Sequence, residues 1–264
     1  MTTLVLIHNV NNPELCSATI SSLLASATSP SSLKISLLDS PDTNKKAASC
    51  IDTYCEKNPA SAASIITTQV AQAFIHSTHN AYAVALRAAL TPSITHVLTV
   101  DPGVLFEQGW DQTLKTDAAA LPTNSVISYA PSSSLSSLCG VTFTKSQSPA
   151  SQSIPPPPAS SSATTPTLSA GLSTSLAYFP ISALLASPFD PFLSATLTPA
   201  ADLSLYVRLF SRGVDVYSPS VTVARREGKT HYPVVKAKDE KGGGAMRLNT
   251  ILQVSKASEH QLIT

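Results

Sequence analysis

Short apolar runs that stop at a polar or turn-forming residue alternate with stretches of helical spacing through the first half of this chain. Residues 3–8 form such a run, closed by Asn9-Val10-Asn11-Asn12-Pro13. Pro13 suits the first turn of a helix whose apolar face is Leu15, Ile20, Leu23 and Leu24. Residues 33–38 read as a second strand ending at Asp39, 45–57 as a helix, and 63–68 as a third strand. A helix over 81–90 is closed by Thr91-Pro92. The run Val97-Leu98-Thr99-Val100 is a buried strand that ends at Asp101, and a helix follows from about Gly109 to Ala120. Strand and helix in such short alternation predict an α/β fold, a single Rossmann-like domain with a central mostly parallel sheet and helices on both faces.

The second half is less regular. Residues 125–130 and 140–144 are strand candidates that either extend the sheet or form an antiparallel flap. Residues 145–167 are rich in Ser and Pro, with four consecutive prolines at Pro155–Pro158, and read as a flexible or polyproline insertion. Order returns at Leu168-Ser169-Ala170-Gly171-Leu172, and 180–185 reads as one or two helical turns. Residues 199–212 form the best helix of this half, with Leu203, Val207 and Phe210 at helical spacing and Gly213 as its C-cap. A strand over 214–217 ends at Ser218-Pro219-Ser220. A basic C-terminal segment, 225–264, follows and loses periodicity. The expected organisation is one domain over 1–264, carrying the insertion and the basic segment.

Composition narrows the function classes. A formal net charge of +1 gives no global field for nucleic acid or an acidic membrane. No run of about 20 apolar residues is present, so no membrane span is expected. The four cysteines, Cys16, Cys50, Cys55 and Cys139, have no zinc spacing and read as reduced thiols of a cytosolic protein. A Cys50–Cys55 bridge is the alternative if the chain were secreted. The N-terminus shows no basic stretch followed by a long apolar one, so the expected location is cytoplasmic. No Gly-x-Ser-x-Gly elbow supports a hydrolase, and Lys241-Gly242-Gly243-Gly244 lacks the spacing of a phosphate loop.

One window carries chemistry. Asp101 sits at the carboxyl end of a central strand, where open α/β sheets bind ligands. A carboxylate there suits a divalent cation, Mn or Mg, that neutralises a diphosphate. The same residue also begins an Asp-Pro-Gly turn. His76 and His79 at helical spacing lack a third ligand and read as a loop or surface pair. Phe106 and Trp110 are expected to pack under the sheet.

Three blocks resemble one family. The first is Leu6-Ile7-His8-Asn9-Val10-Asn11-Asn12-Pro13-Glu14-Leu15, and the second is Asp101 to Asp111 with its Gly109-Trp110-Asp111. The third is Ser169-Ala170-Gly171, Phe189-Asp190-Pro191-Phe192-Leu193, and the run from Ala200-Ala201-Asp202 to Ser218-Pro219-Ser220. In this order they are similar to the polypeptide GlcNAc-transferases that modify hydroxyproline in the protist cytoplasm, with their mucin-type relatives. The resemblance implies a GT-A fold and transfer of a GlcNAc-like sugar from a UDP-sugar to a hydroxyl acceptor on protein or glycan. It implies Asn9, Asn11 (where the family has Arg), Asp101 and Gly171 around the donor, with His8 at the end of the first strand lining the base slot. The family's helix Arg falls on Val84, with Arg87 one turn further along that face. Asp101 is the implied metal ligand, which His231 joins only through a loop shift, and Asp202 is the acceptor base.

The departures fall where that chemistry sits. The family's Asp-x-His is Asp101-Pro102-Gly103 here, its Gly-Glu-Glu is Ala200-Ala201-Asp202, and its later metal-binding His falls near Ala224 or Arg225. One carboxylate holds a divalent cation poorly, which predicts weak metal dependence or none. Arg225, Arg226, Lys229 and Lys236 either replace the cation or form a solvated basic tail. The alternative to a transferase is a non-catalytic GT-A descendant that binds a nucleotide sugar or a protein partner. A nucleotidyltransferase-like fold is more remote, because no Gly/Arg/Lys-rich phosphate loop lies near the N-terminus.

Overall fold

The structure is a computed structural model that describes residues 2–40, 49–58, 65–70, 77–131, 141–143, 149–151, 165–193 and 198–226. Strands β1 (Thr2–Asn9), β2 (Leu33–Asp39) and β3 (Ile65–Gln69) alternate with helices α1 (Pro13–Ala25), α2 (Cys50–Lys57) and α3 (Thr78–Ala89). Then come β4 (Ile94–Val100), β5 (Val104–Phe106), α4 (Trp110–Ala120), β6 (Val126–Ser128), β7 (Val141–Phe143) and β8 (Pro149–Ser151). The chain continues through β9 (Thr167–Leu168), β10 (Leu176–Pro180), α5 (Ile181–Ala186), α6 (Thr198–Phe210), β11 (Val216–Ser218) and β12 (Ala224–Arg226). Eight strands form the main sheet in the order β3-β2-β1-β4-β10-β6-β11-β9. β1, β2, β3 and β4 pair in parallel, and β6 pairs in parallel with β11. β10 runs antiparallel to both β4 and β6, and β9 runs antiparallel to β11.

Period-two alternation sorts the strand residues onto two covered faces. Val5, Ile7, Ile35, Leu37, Leu98 and Val100 pack with Cys16, Ile20 and Leu23 of α1, Tyr54 of α2 and Trp110 of α4. Leu4, Leu6, Leu38 and Val97 pack on the other face with Ala81, Tyr82 and Ala85 of α3, Leu184 of α5, and Leu205 and Leu209 of α6. Continued to the strand ends, this alternation turns His8 and Asp101 toward α3 and α6, and Asn9 and Asp39 toward α1 and α2. Phe106 and Trp110 pack at a 45° tilt within the first core with centroids 4.6 Å apart, and the Trp110 indole N–H donates to the Leu23 carbonyl. Asp111, the acid of Gly-Trp-Asp, accepts from the backbone N–H groups of Thr28 and Ser29. Burial would raise its pKa, but those bonds and Lys115 outweigh burial and hold it below the ordinary value.

The structure completes or corrects the sequence reading at four places. The Leu176–Pro180 run, unassigned above, is a fully buried antiparallel strand at the middle of the sheet. The two strand candidates take the two forms expected of them: 125–130 extends the main sheet as β6, and 140–144 supplies β7, which pairs antiparallel with β8, a strand within the Ser/Pro-rich segment. The basic segment begins with a strand, because β12 pairs antiparallel with β5. The cysteines are not all thiols: Cys16 on α1 and Cys50 at the start of α2 form a disulfide with Cα atoms 5.8 Å apart, leaving Cys55 free. Helix packing between α1 and α2 makes that pairing, a long-range contact that sequence spacing does not encode; Cys139 lies outside the described residues. No helix among the described residues is long and apolar enough to cross a membrane.

Candidate active site

β1 has β2 on one side and β4 on the other, so strand order reverses between the C-terminal ends of β1 and β4. Open α/β sheets bind ligands at such a switch point. His8 closes β1 and Asp101 follows β4 there. The Asp101 carbonyl accepts from Val104 N–H across Pro102-Gly103, and Gly103 has φ 86°, which its missing Cβ permits. Pro at the second position and Gly at the third make this a type II turn. Gly103 N–H donates to Thr19 Oγ1 of α1 at 2.8 Å.

The Asp101 carboxylate is enclosed, with its side chain 13% exposed. Tyr82 Oη donates to Oδ1 at 3.3 Å, Ser175 Oγ donates to Oδ2 at 2.7 Å, and Arg226 Nη2 donates to Oδ2 at 2.9 Å. Asp101 N–H donates to the Ser175 carbonyl, which joins β4 to the turn before β10 a second time. Both the turn reading and the site reading of Asp101 therefore describe one residue: its backbone makes the turn while its carboxylate holds an arginine.

Arg226 comes from a segment read as a solvated tail or a cation substitute. β12 places it opposite Val104 of β5, beside the Asp101 turn. Tyr129 fixes β12 by accepting from Ala224 N–H at 2.7 Å and donating to the Ala224 carbonyl. Arg225 points outward and lies 3.8 Å from Glu107. Lys229, Lys236 and His231 lie outside the described residues.

The second carboxylate, Asp202 of α6, is held by Thr174, the chain neighbour of the Ser175 that holds Asp101. Thr174 Oγ1 donates to Asp202 Oδ1 at 2.7 Å, and Thr174 N–H donates to Asp202 Oδ2 at 3.2 Å. His79 Nε2 donates to Asp202 Oδ1 at 3.1 Å. His79 is 1% exposed and packs edge-on against Phe189, and its Nδ1 has no partner among the described residues. This corrects the loop-or-surface reading of His79; His76 lies outside the described residues. Starting α3 at Ala81 hid the signal. Ser77 caps the helix by accepting from Asn80 N–H, so His79 and Tyr82 are three apart on one face.

The remaining donor candidates are dispersed. His8 Nε2 is 3.3 Å from Ser40 Oγ. Burial lowers the His8 pKa to about 4, although the nearby Asp101 charge acts to raise it. Asn9 is buried on the opposite face; its Nδ2 donates to Asp39 Oδ1 at 2.8 Å and its Oδ1 has no partner among the described residues. Asp39 also accepts from Cys50 N–H, and burial is the chief cause of its raised pKa. Asn11 is exposed with φ 52°. Gly171 is half-buried in the loop leading to Thr174. Arg87 is not brought to this group. It is exposed in the last turn of α3, which runs away from the strand ends toward Thr91.

A divalent cation does not fit the described donor set. Asp101 is the one acid of its turn, Asp202 is taken up by Thr174 and His79, Gly103 has no side chain, and a guanidinium already occupies the Asp101 carboxylate. Among the described residues no group of three or more His, Cys, Asp and Glu could hold a metal ion.

Comparison with known proteins supplies the family. The profile described as Glycosyltransferase (GlcNAc) matches residues 40–233, well over half of the chain. The chain belongs to this glycosyltransferase family. A search of curated proteins finds no significant match. Among solved structures, GalNAc-T7 with UDP, GalNAc and Mn2+ is similar at TM-score 0.68 and 12% identity, covering 96% of this chain and 48% of that one. S. aureus TarS 1-349 is similar at TM-score 0.55 and 15% identity, over 85% of this chain and 59% of that one. The mannosyltransferase PcManGT from Pyrobaculum calidifontis, with GDP-Man and Mn2+, gives 0.55 and 14%, over 87% and 58%. These likenesses establish the GT-A fold. This chain spans about half the length of the solved chains it resembles.

Proposed function

We propose that this glycosyltransferase moves a GlcNAc-like sugar from a UDP-sugar to a hydroxyl group on a protein or glycan. One observation carries the reading: two carboxylates of different surroundings are held by consecutive residues, Thr174 and Ser175, of one turn beside the switch point. Asp101 is bound to a cation, and Asp202 is bound to neutral donors and a histidine. The family profile supports GlcNAc as the sugar, and the UDP in the TarS and GalNAc-T7 structures supports uridine in the donor.

In this mechanism the bond from the sugar's anomeric carbon to the diphosphate oxygen breaks, and UDP leaves with that electron pair. The acceptor hydroxyl oxygen forms the new bond to the anomeric carbon, and its proton passes to Asp202. His79 and Thr174 position the Asp202 carboxylate. Charge developing on the leaving diphosphate requires positive charge already in place. The Cys16–Cys50 bridge supports an oxidising compartment over the cytosol, and the acceptor would then be a protein or glycan passing through it.

The test is UDP release and sugar incorporation with UDP-GlcNAc and hydroxyl-bearing peptides or glycans, comparing the chain with Asp202→Asn. Incorporation by the parent chain and its loss in the variant supports the reading. UDP-sugar binding with equal background incorporation in both leaves a donor-binding protein without transfer, and the proposal fails.

A further inference from the structure

We propose that the Arg226 guanidinium takes the position of a divalent cation in the donor site and is the group that meets the diphosphate. This deepens the transferase reading and rests on it. Asp101 is then a positioning residue for Arg226 rather than a metal ligand.

The arrangement is built rather than incidental. Arg226 is fixed by the β5–β12 pairing, by the two Tyr129 bonds to Ala224, and by Glu107 N–H donating to the Val223 carbonyl at 2.9 Å. Its side chain is 12% exposed, so the charge is largely withdrawn from water and screened little by salt. Ser175 and Tyr82 also donate to the Asp101 carboxylate, one on each oxygen, so it cannot rotate without breaking bonds.

Donor counting shows what Arg226 has to offer. A guanidinium carries five N–H groups in a planar fork. One goes to Asp101, and among the described residues the guanidinium makes no other hydrogen bond. The rest of the fork matches two non-bridging oxygens of a diphosphate, and the match is bidentate in a way that an ammonium cannot copy. Arg226 also stays charged across the working pH range. A divalent cation on the same carboxylate would sit within a few ångströms of the guanidinium, and that repulsion disfavours co-occupancy. Binding the leaving group by Arg226 therefore supplies charge stabilisation and excludes the metal by one interaction.

The experiment is calorimetric titration of the full chain with UDP, once in EDTA and once with Mn2+, for the parent chain and for Arg226→Gln and Arg226→Lys. The expected result is equal UDP affinity with and without Mn2+ in the parent chain. Arg226→Gln should weaken UDP by about 30-fold or more, as for a truncated buried charge contact. Arg226→Lys should recover only part of that loss. Because Arg226→Gln strands the buried Asp101 charge, Asp101→Asn and Asp101→Asn/Arg226→Gln are titrated as a second pair. The double variant should bind UDP more weakly than Asp101→Asn alone. UDP binding that appears only with Mn2+, or Arg226→Gln binding like the parent, overturns this inference and leaves the transferase reading standing. Absence of UDP and UDP-sugar binding in every condition overturns both.

Discussion

Thr174 and Ser175 are chain neighbours that hold different carboxylates: Thr174 Oγ1 donates to Asp202 and Ser175 Oγ donates to Asp101, each at 2.7 Å. The two side chains leave this turn toward different carboxylates, so one turn reaches both groups. Tyr82 Oη ties the pair further, contacting Asp101 Oδ1 and, at 3.5 Å, the Thr174 carbonyl. The two functions are thus adjacent in space yet separable by substitution. Thr174→Val should lower kcat about 10- to 100-fold, the worth of a hydrogen bond to a charged group, and leave UDP affinity nearly unchanged. Ser175→Ala should instead weaken UDP by a similar factor. Steady-state kinetics with UDP titration checks this; if both variants move the same parameter equally, the division of labour is wrong.

His79 gives a second separation. With its Nε2–H donated to Asp202, the buried Nδ1 has no hydrogen-bond partner among the described residues. Such an atom costs stability, so the histidine is retained at a penalty that packing alone does not explain. Asp202→Asn should reduce kcat by roughly 10²- to 10⁴-fold, the range for removal of a general base. His79→Phe keeps the contact with Phe189 and should hold or raise the urea midpoint while lowering kcat. A purely structural histidine would show no kcat loss beyond that caused by unfolding.

The first half of the fold was legible because its strands are apolar runs with clear stops, and Pro13 and Thr91-Pro92 punctuate the helices. β10 was not, because Leu-Ala-Tyr-Phe-Pro is too short to distinguish a strand from a helical turn, and Pro180 looked like a helix start. Asp101 and Asp202 were legible through position and motif. Arg226 was legible only as one of several basic residues, since its role depends on β12 folding back onto β5. His79 required the helix boundary to be right by two residues. Arg87 lies apart from the group because five residues past Tyr82 turn it about 140° off that face, into solvent, and carry it about 7.5 Å along the axis, away from the strand ends.

Acid should destabilise the chain through His8. Its folded pKa is about 4, depressed by burial from 6.5. The unfolded chain therefore takes up the proton first. The stability contribution is complete above pH 6.5, falls as pH drops toward 4, and is lost below it, amounting to roughly 3 kcal/mol. His96 is lowered to about 4 by burial, with Lys115 contributing, and adds a parallel loss over the same window. Urea unfolding at intervals from pH 7 to pH 4 should show this slope, and His8→Gln should reduce it. An unchanged slope in His8→Gln means that His8 is not the group titrating.

The disulfide should contribute to stability and to the order of the α2 start. Cys16 and Cys50 enclose a sequence separation of 34, for which loop-closure entropy predicts about 4 kcal/mol at most. Cys50 N–H also donates to Asp39 Oδ2 at 2.7 Å, so the bridge holds α2 against the end of β2. Opening it frees the α2 start from α1 and loosens the partner of a buried carboxylate whose pKa is already raised by burial. Reductant should therefore lower the urea midpoint by about 1–2 M, given a stability loss of 2–4 kcal/mol and a slope of roughly 2 kcal/mol per molar. Cys16→Ala/Cys50→Ala should start at the lower midpoint and show no response to reductant. Alkylation under denaturing, non-reducing conditions should label Cys55 and leave Cys16 and Cys50 joined. Labelling of all three, with a midpoint indifferent to reductant, would show that the helices pack as they do without the bond.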